Sequence, residues 1–323
     1  MSALLDVRGL SVQFASSHGR VQAVDDVSLT VGAGEIVGLV GESGCGKSVA
    51  TMSLLRLLPP TATVSGEAWF EGTNLLVQSP RQLRAVRGRK VSFIFQEPMS
   101  SLNPLFTIGE QITEVMRKHL GLSRREARRR AVNLLETVRI ADPARRLSEY
   151  PHQLSGGMCQ RAMIAMAIAC QPKLLIADEP TTALDVTIQT EVLDLLRDLR
   201  DELGMAVILI THNLGVVADI VDRVCVMYAG RKIEEAPVEE IFRASHHPYT
   251  RGLIAAVPRL GNRVDRLEEI PGHVPVMHGP ASMCSFAPRC PRAADDCVEY
   301  RPELEPLERN HTAACFHPYQ APV

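Results

Sequence analysis

The sequence predicts an α/β fold, and three features predict it. The apolar run Ile36–Val40 leads into Gly41-Glu42-Ser43-Gly44-Cys45-Gly46-Lys47-Ser48 and then into a second apolar stretch, residues 49–58. A further apolar run, residues 174–177, ends in two acids, Asp178 and Glu179. Short apolar runs at residues 4–7, 207–210 and 224–228 alternate with stretches of helical character. Runs of this length are strand-like, and their alternation with helices is the α/β pattern.

In chain order, the first chemical element is the glycine-rich loop 41–48. Its spacing is G-x-x-x-x-G-K-[ST], placed between a strand and a helix. Glycines let backbone amides wrap phosphates. Lys47 reaches the outer phosphates, and Ser48 offers a hydroxyl to Mg²⁺. Cys45 reads as a small filler. Residues 91–95 form another apolar run, followed by Gln96, whose amide oxygen can join a Mg²⁺ shell. From about residue 106 to residue 146 the chain is helical and richly charged, an insertion between the phosphate loop and the acidic strand. Its basic run from Arg124 to Arg130 reads as a solvated helix face.

Next comes Leu154-Ser155-Gly156-Gly157-Met158-Cys159-Gln160. Small residues leave amides uncovered where a helix begins, which makes an anion site. A second phosphate site on one chain is accounted for if this loop serves a nucleotide held by another copy or a partner. Asp178 is carried by its strand to the phosphate end of the sheet, where it can hold Mg²⁺ through water. Glu179, one position on, suits the base that polarises an attacking water. His212 ends the strand-like run 207–210 and can contact a terminal phosphate.

Composition narrows the class. The 323 residues carry 35 basic and 37 acidic side chains, so nothing points to nucleic acid as a partner. With 46% apolar residues a core can be built. The N-terminus meets an acid at Asp6, unlike a secretory signal. The longest apolar run, residues 162–170, is far short of the roughly 20 residues needed to span a bilayer. The expectation is a cytoplasmic chain that meets a membrane only through a partner.

From Ser245 the texture changes: 11 of the 21 prolines fall in the last 79 residues. Such a loop-rich appendage needs something besides a core to hold it. Cys284, Cys290, Cys297 and Cys315 are separated by five, six and seventeen residues. In a reducing compartment these are metal ligands before they are disulfides. Thiolates bind zinc or iron–sulfur clusters. The C-x-x-C knuckle usual for structural zinc is missing, and wide spacing suits a larger cluster. Zinc and free or paired thiols stay open as alternatives. Cys159, Cys170 and Cys225 fall in apolar stretches and read as core.

Phosphate loop, Gln96, the LSGG-type loop, the acidic strand, Ala183-Leu184-Asp185 and the strand-end His212 occur in that order, and together they resemble the nucleotide-binding subunit of an ABC transporter. The resemblance covers residues 1–244, with a helical subdomain at about 100–165. It implies that Gln96 is the Q-loop glutamine, Asp185 the D-loop acid, His212 the switch histidine and Phe14 the aromatic that stacks on adenine. It implies ATP with Mg²⁺, held by Lys47, Ser48, Gln96 and Asp178 and by the rest of the loop 41–48. Ser155, Gly156, Gly157 and Gln160 would form the signature facing the nucleotide of a second ATPase subunit. Met158-Cys159 and Asn213 depart from the usual pattern, away from phosphate-contacting positions. Ser245-His246-His247-Pro248-Tyr249-Thr250 is similar to a segment of oligopeptide and dipeptide importers. The whole chain resembles their D-type ATPase, with nickel or other small-solute importers sharing the features. This implies a P-loop ABC fold with a metal-binding extension over residues 245–323, and a four-iron, four-sulfur cluster on the four tail cysteines. It also implies two permease subunits, an external peptide-binding protein and a peripheral position on the cytoplasmic membrane face.

Overall fold

A computed structural model describes residues 3–16, 19–182, 185–257, 270–308 and 310–320. The chain forms two compact units. One comprises residues 1–32, 36–77 and 210–323, the other residues 33–35 and 78–209.

The first unit contains a four-stranded antiparallel sheet in the order Gly19–Val31, Leu5–Ser16, Ala62–Phe70, Thr73–Asn74. Leu5 faces Val31 on one side and Phe70 on the other. Leu5, Val7, Leu10 and Val12 are buried, so one face of the long strand feeds the core. A second set of strands is built around Ile36–Val40, all five residues of which are buried. Burial on both faces explains why this strand is uniformly apolar rather than alternating. It pairs in parallel with Arg223–Tyr228, Gly38 opposite Val224. Arg223–Tyr228 pairs antiparallel with Arg231–Pro237.

The tail then extends this ladder. His311–Ala313 pairs with Arg231–Pro237, Glu234 opposite Ala313, and Glu305–Glu308 pairs with His311–Ala313. Between them lies the two-turn helix Pro248–Ala255, started by His247, whose Nδ1 accepts the Tyr249 amide. The joint is sealed by a buried carboxylate. Glu234 is fully buried, accepting from the backbone amides of His246 (2.6 Å) and His247 (3.1 Å) and meeting His311 Nε2 at 2.8 Å. Burial pushes its carboxyl upward, but hydrogen bonds led by that of His311 outweigh this and hold it below its ordinary range.

In the second unit, Val91–Ile94 and Leu174–Asp178 pair in parallel, Val91 opposite Leu174. The charged insertion becomes two helices, Ile108–Leu120 and Arg124–Thr137, each opened by a capping box, Thr107 with Glu110 and Ser123 with Glu126. Ile108, Ile112 and Met116 on one helix and Ala127, Ala131 and Leu135 on the other recur at four-residue spacing, and all six are buried, as is Gly109. Arg124, Arg125, Arg128, Arg129 and Arg130 are exposed around buried Ala127, so the basic run is a solvated face. The apolar run 162–170 belongs mostly to the helix Gly156–Ile168, which is buried along nearly its whole length. No helix among the described residues is long and apolar enough to cross a membrane.

Candidate functional site

The phosphate loop lies in the first unit. Gly41, Gly44 and Gly46 have φ of 151°, 80° and 100°, values at which a side chain is strained. Space is also lacking: a Cβ on Gly41 would sit 2.2 Å from the Met227 carbonyl oxygen, and one on Gly46 2.3 Å from that of Ala23. The loop therefore lies directly on the backbones of two neighbouring strands. Gly46 precedes the helix Lys47–Leu54 and provides no side-chain cap. The first amides of that helix are left for an outside acceptor, an arrangement suited to phosphate. Lys47 is buried, with Nζ donating to the Gly41 and Glu42 carbonyl oxygens at 2.8 and 3.0 Å. Cys45 is wholly buried, and burial raises its thiol pKa, as befits a filler.

Glu42 is held from the tail. Its amide donates to the Tyr249 hydroxyl at 2.8 Å, and its carboxylate takes two hydrogen bonds from the Arg289 guanidinium at 2.7 and 2.9 Å. Phe14, half-buried in its strand, and exposed His212 are in the same unit. Asn213, after the histidine, caps the helix Leu214–Val217 by accepting the Gly215 amide at 3.0 Å.

The second unit carries the acids. Asp178 is the last residue of its strand and is buried. Glu179 follows with φ of 45°, left-handed and costly for a non-glycine residue. Its Oε2 accepts from Gln96 Nε2 at 3.0 Å and from Thr182 Oγ1 at 2.8 Å. Gln96 and Glu179 are thus brought together across 83 residues. Thr182 escaped the sequence reading, although its place three residues after Glu179 was a usable signal. Ser155 caps the helix Gly156–Ile168, its Oγ accepting the Met158 amide at 3.3 Å. A Cβ on Gly156 would meet nothing within 4 Å, and one on Gly157 only Ile188 at 3.3 Å. Gln160 is buried, with Nε2 unpartnered among the described residues. Asp185 is exposed and caps the helix Val186–Leu203, accepting the Ile188 amide at 2.9 Å. Ala183 and Leu184, named with it from the sequence, lie outside the described residues.

The four tail cysteines lie in the first unit, all as free thiols. The Cys284 amide donates to the Cys297 carbonyl at 3.0 Å, drawing two of them into one turn system. The Cys315 thiol is pushed up to about 11, first by burial and then by the nearness of Cys284, Cys290 and Cys297. His317 Nε2 meets Asp296 Oδ1 at 2.8 Å. Among the described residues, the candidate metal-ligand atoms drawn within 4.8 Å of one another are not the four thiols but those of Asp296, Cys297 and His317. Cys159, Cys170 and Cys225 are core residues.

The sequence profile described as "ABC transporter" matches residues 24–182, and the one described as "Oligopeptide/dipeptide transporter, C-terminal region" matches residues 233–297. A protein of Sinorhizobium fredii, given as a probable peptide ABC transporter ATP-binding protein, is 54% identical over 97% of this chain and 94% of its own length. The chain belongs to the ABC transporter ATP-binding proteins. A Brucella abortus relative with the provisional name of peptide import ATP-binding protein is 51% identical over 93% of this chain and 90% of its own. Among solved structures, the cassette resembles a dimeric ATP-binding cassette in a post-hydrolysis state with ADP and phosphate. That match has a TM-score of 0.66 and 28% identity, and covers 72% of this chain and 98% of the other. A cassette from a Clostridium perfringens ABC transporter complex matches with a TM-score of 0.62 and 28% identity over 75% of this chain and 91% of its own. The cassette fold expected from the phosphate loop and acidic strand is thus borne out.

Proposed function

We propose that this chain is the ATP-hydrolysing subunit that powers import of dipeptides or short oligopeptides across the cytoplasmic membrane. The observation that carries this reading is the peptide-transporter C-terminal profile at residues 233–297 behind an ABC cassette. Relatives named for peptide transport match over nearly the whole length, which favours peptides over nickel or another small solute. The organisation we propose is an ATPase domain over residues 1–244, its helical subdomain at about 100–165, and an extension over residues 245–323.

In this reading Lys47 and the amides of loop 41–48 bind the phosphates of ATP, and Phe14 stacks on adenine. Ser48, Asp178 and Gln96 are an all-oxygen donor set suited to a hard cation, and they would hold Mg²⁺, which neutralises phosphate charge when bound. The Gln96 amide nitrogen turns toward Glu179, which leaves the oxygen end for the cation. Glu179 accepts a proton from the attacking water, oriented by Gln96 and Thr182. His212 contacts the terminal phosphate. Ser155, Gly156, Gly157 and Gln160 serve a nucleotide on a second ATPase subunit, a similar but distinct chain, and Asp185 lies at the same junction. The dimeric state of the similar cassette supports this pairing. Two permeases and an external peptide-binding protein complete the assembly at the cytoplasmic membrane face. Leu105 and Phe106 are exposed at the start of the helix Ile108–Leu120, an apolar edge on which a permease segment can dock.

For the tail we propose a four-iron, four-sulfur cluster on Cys284, Cys290, Cys297 and Cys315. Four free cysteines are the donor set such a group takes, and it would staple a segment poor in core. Zinc is the second reading, favoured by the mixed set Asp296, Cys297 and His317.

Uptake decides the main proposal. A strain deleted for this gene should lose import of labelled dipeptides and keep nickel import, and this chain should co-purify with two permeases. Undiminished dipeptide uptake would reject the reading.

A further inference from the structure

Glu42 is the only phosphate-loop side chain among the described residues that reaches into the tail by an ion pair. The two groups are separated by 247 residues of sequence. The Arg289 side chain is only 6% exposed, and Glu42 is 30% exposed. The contact is bidentate, the geometry in which guanidinium and carboxylate bind most strongly and with most directional control. Arg289 is itself fixed from behind: its Nε donates to the Pro271 carbonyl at 2.7 Å and its Nη2 to that of Ile270 at 3.1 Å. Its guanidinium lies 5.7 Å from the centre of the Tyr228 ring, and that ring packs edge-on against Tyr249 and Phe286. Arg289 also directly precedes Cys290.

Glu42 is consequently gripped at three points. Arg289 takes its carboxylate, Tyr249 accepts from its amide and Lys47 donates to its carbonyl. Two of the three grips come from the tail. Glu42 lies next to Gly41, whose φ of 151° sets the entry into the loop, so a shift of Glu42 would move the amides that wrap phosphate.

We infer that Arg289 is a positioning residue of the phosphate loop, through which the cysteine-bearing extension sets the loop's affinity for nucleotide. This rests on the reading of loop 41–48 as an ATP site. It needs no statement about which metal the cysteines hold. An extension that loses its fold releases Arg289, and the loop relaxes. Nucleotide binding then becomes conditional on an intact tail.

The test uses the full chain and a fluorescent ATP analogue with Mg²⁺. Arg289→Met and Glu42→Gln should each weaken binding about tenfold, as expected when a charge-assisted bidentate contact is lost. The double variant should be no weaker than either single one, because both changes remove the same contact. Arg289→Lys, which keeps charge but loses the fork, should fall between. In the assembled transporter the singles should raise KM for ATP more than they lower kcat. Hydrogen exchange supplies the structural control. Glu42→Gln leaves the Arg289 bonds to Pro271 and Ile270 in place, so exchange should quicken at residues 41–46 and not at residues 284–297. Wild-type affinity in both single variants, or losses that multiply in the double, would overturn the role of Arg289. A wild-type chain that does not bind the analogue would instead overturn the nucleotide reading beneath it.

Discussion

Gln96 Nε2 donates to Glu179 Oε2 at 3.0 Å, and the same oxygen accepts from Thr182 at 2.8 Å. Two donors on one oxygen fix the orientation of the carboxylate. If Glu179 is the base, Glu179→Gln should lower ATP turnover by about a hundredfold or more, the usual contribution of a positioned base. ATP affinity should be kept. Phosphate release beside equilibrium ATP binding checks both, and normal hydrolysis in the variant rejects the assignment.

Lys47 donates to the Gly41 and Glu42 carbonyls, so its ammonium is stored inside the loop. Lys47→Ala should weaken ATP binding at least tenfold, roughly the loss of one charge-assisted bond to phosphate. Calorimetric titration measures it.

Ser155 and Gly157 are proposed to act on another subunit's nucleotide. The isolated chain should therefore bind ATP yet hydrolyse it slowly, and adding the partner ATPase should raise turnover. Full turnover by monomeric chain at high dilution would contradict the shared site.

Anaerobically purified chain should be brown and contain about four iron atoms, as a cluster on four thiolates requires. Cys315→Ser should reduce the iron content and the visible absorbance. Colourless protein with one zinc would favour the set around His317, and His317→Ala should then release that zinc.

The tail joint should be acid-sensitive. Burial lowers the His247 pKa from its ordinary 6.5 to about 4. Between those values the unfolded chain takes up a proton that the folded chain refuses, so stability is full above pH 6.5 and falls toward pH 4. The loss is at most about 3 kcal/mol. Glu234, held below its ordinary range, adds in the same direction. His247→Asn keeps an acceptor for the Tyr249 amide without a titrating ring. Its thermal midpoint should fall less between pH 7 and pH 5 than that of the wild type, whereas equal slopes would show that His247 is not the group responsible.

The chemistry of the phosphate loop was legible because its glycines, Lys47 and Ser48 must stand at fixed spacing within one turn between strand and helix. Asp178 and Glu179 were legible because an apolar strand can deliver acids only at its end. Caps such as Thr107 with Glu110 are written locally as well. Contacts set by the path of the chain were not legible. Arg289 looks like any surface arginine in a proline-rich tail, and only the fold brings it to Glu42. Glu234 stands in a polar-looking strand, Arg231–Pro237, and its burial depends on His246, His247 and His311 arriving from the tail. Ser245-His246-His247 was read as a family mark, while its physical role is to complete that carboxylate.

The distance in sequence between Glu42 and Arg289 has a consequence for biosynthesis. A ribosome adding 5–20 residues per second makes the intervening 247 residues in roughly 10–50 seconds. Throughout that interval the nascent loop exists without its guanidinium clasp. Chains released early by a premature stop before residue 289 would carry every residue of the loop but not the grip that shapes it. With Arg289 as a positioning residue, completion of the polypeptide and readiness for nucleotide would fall nearly together.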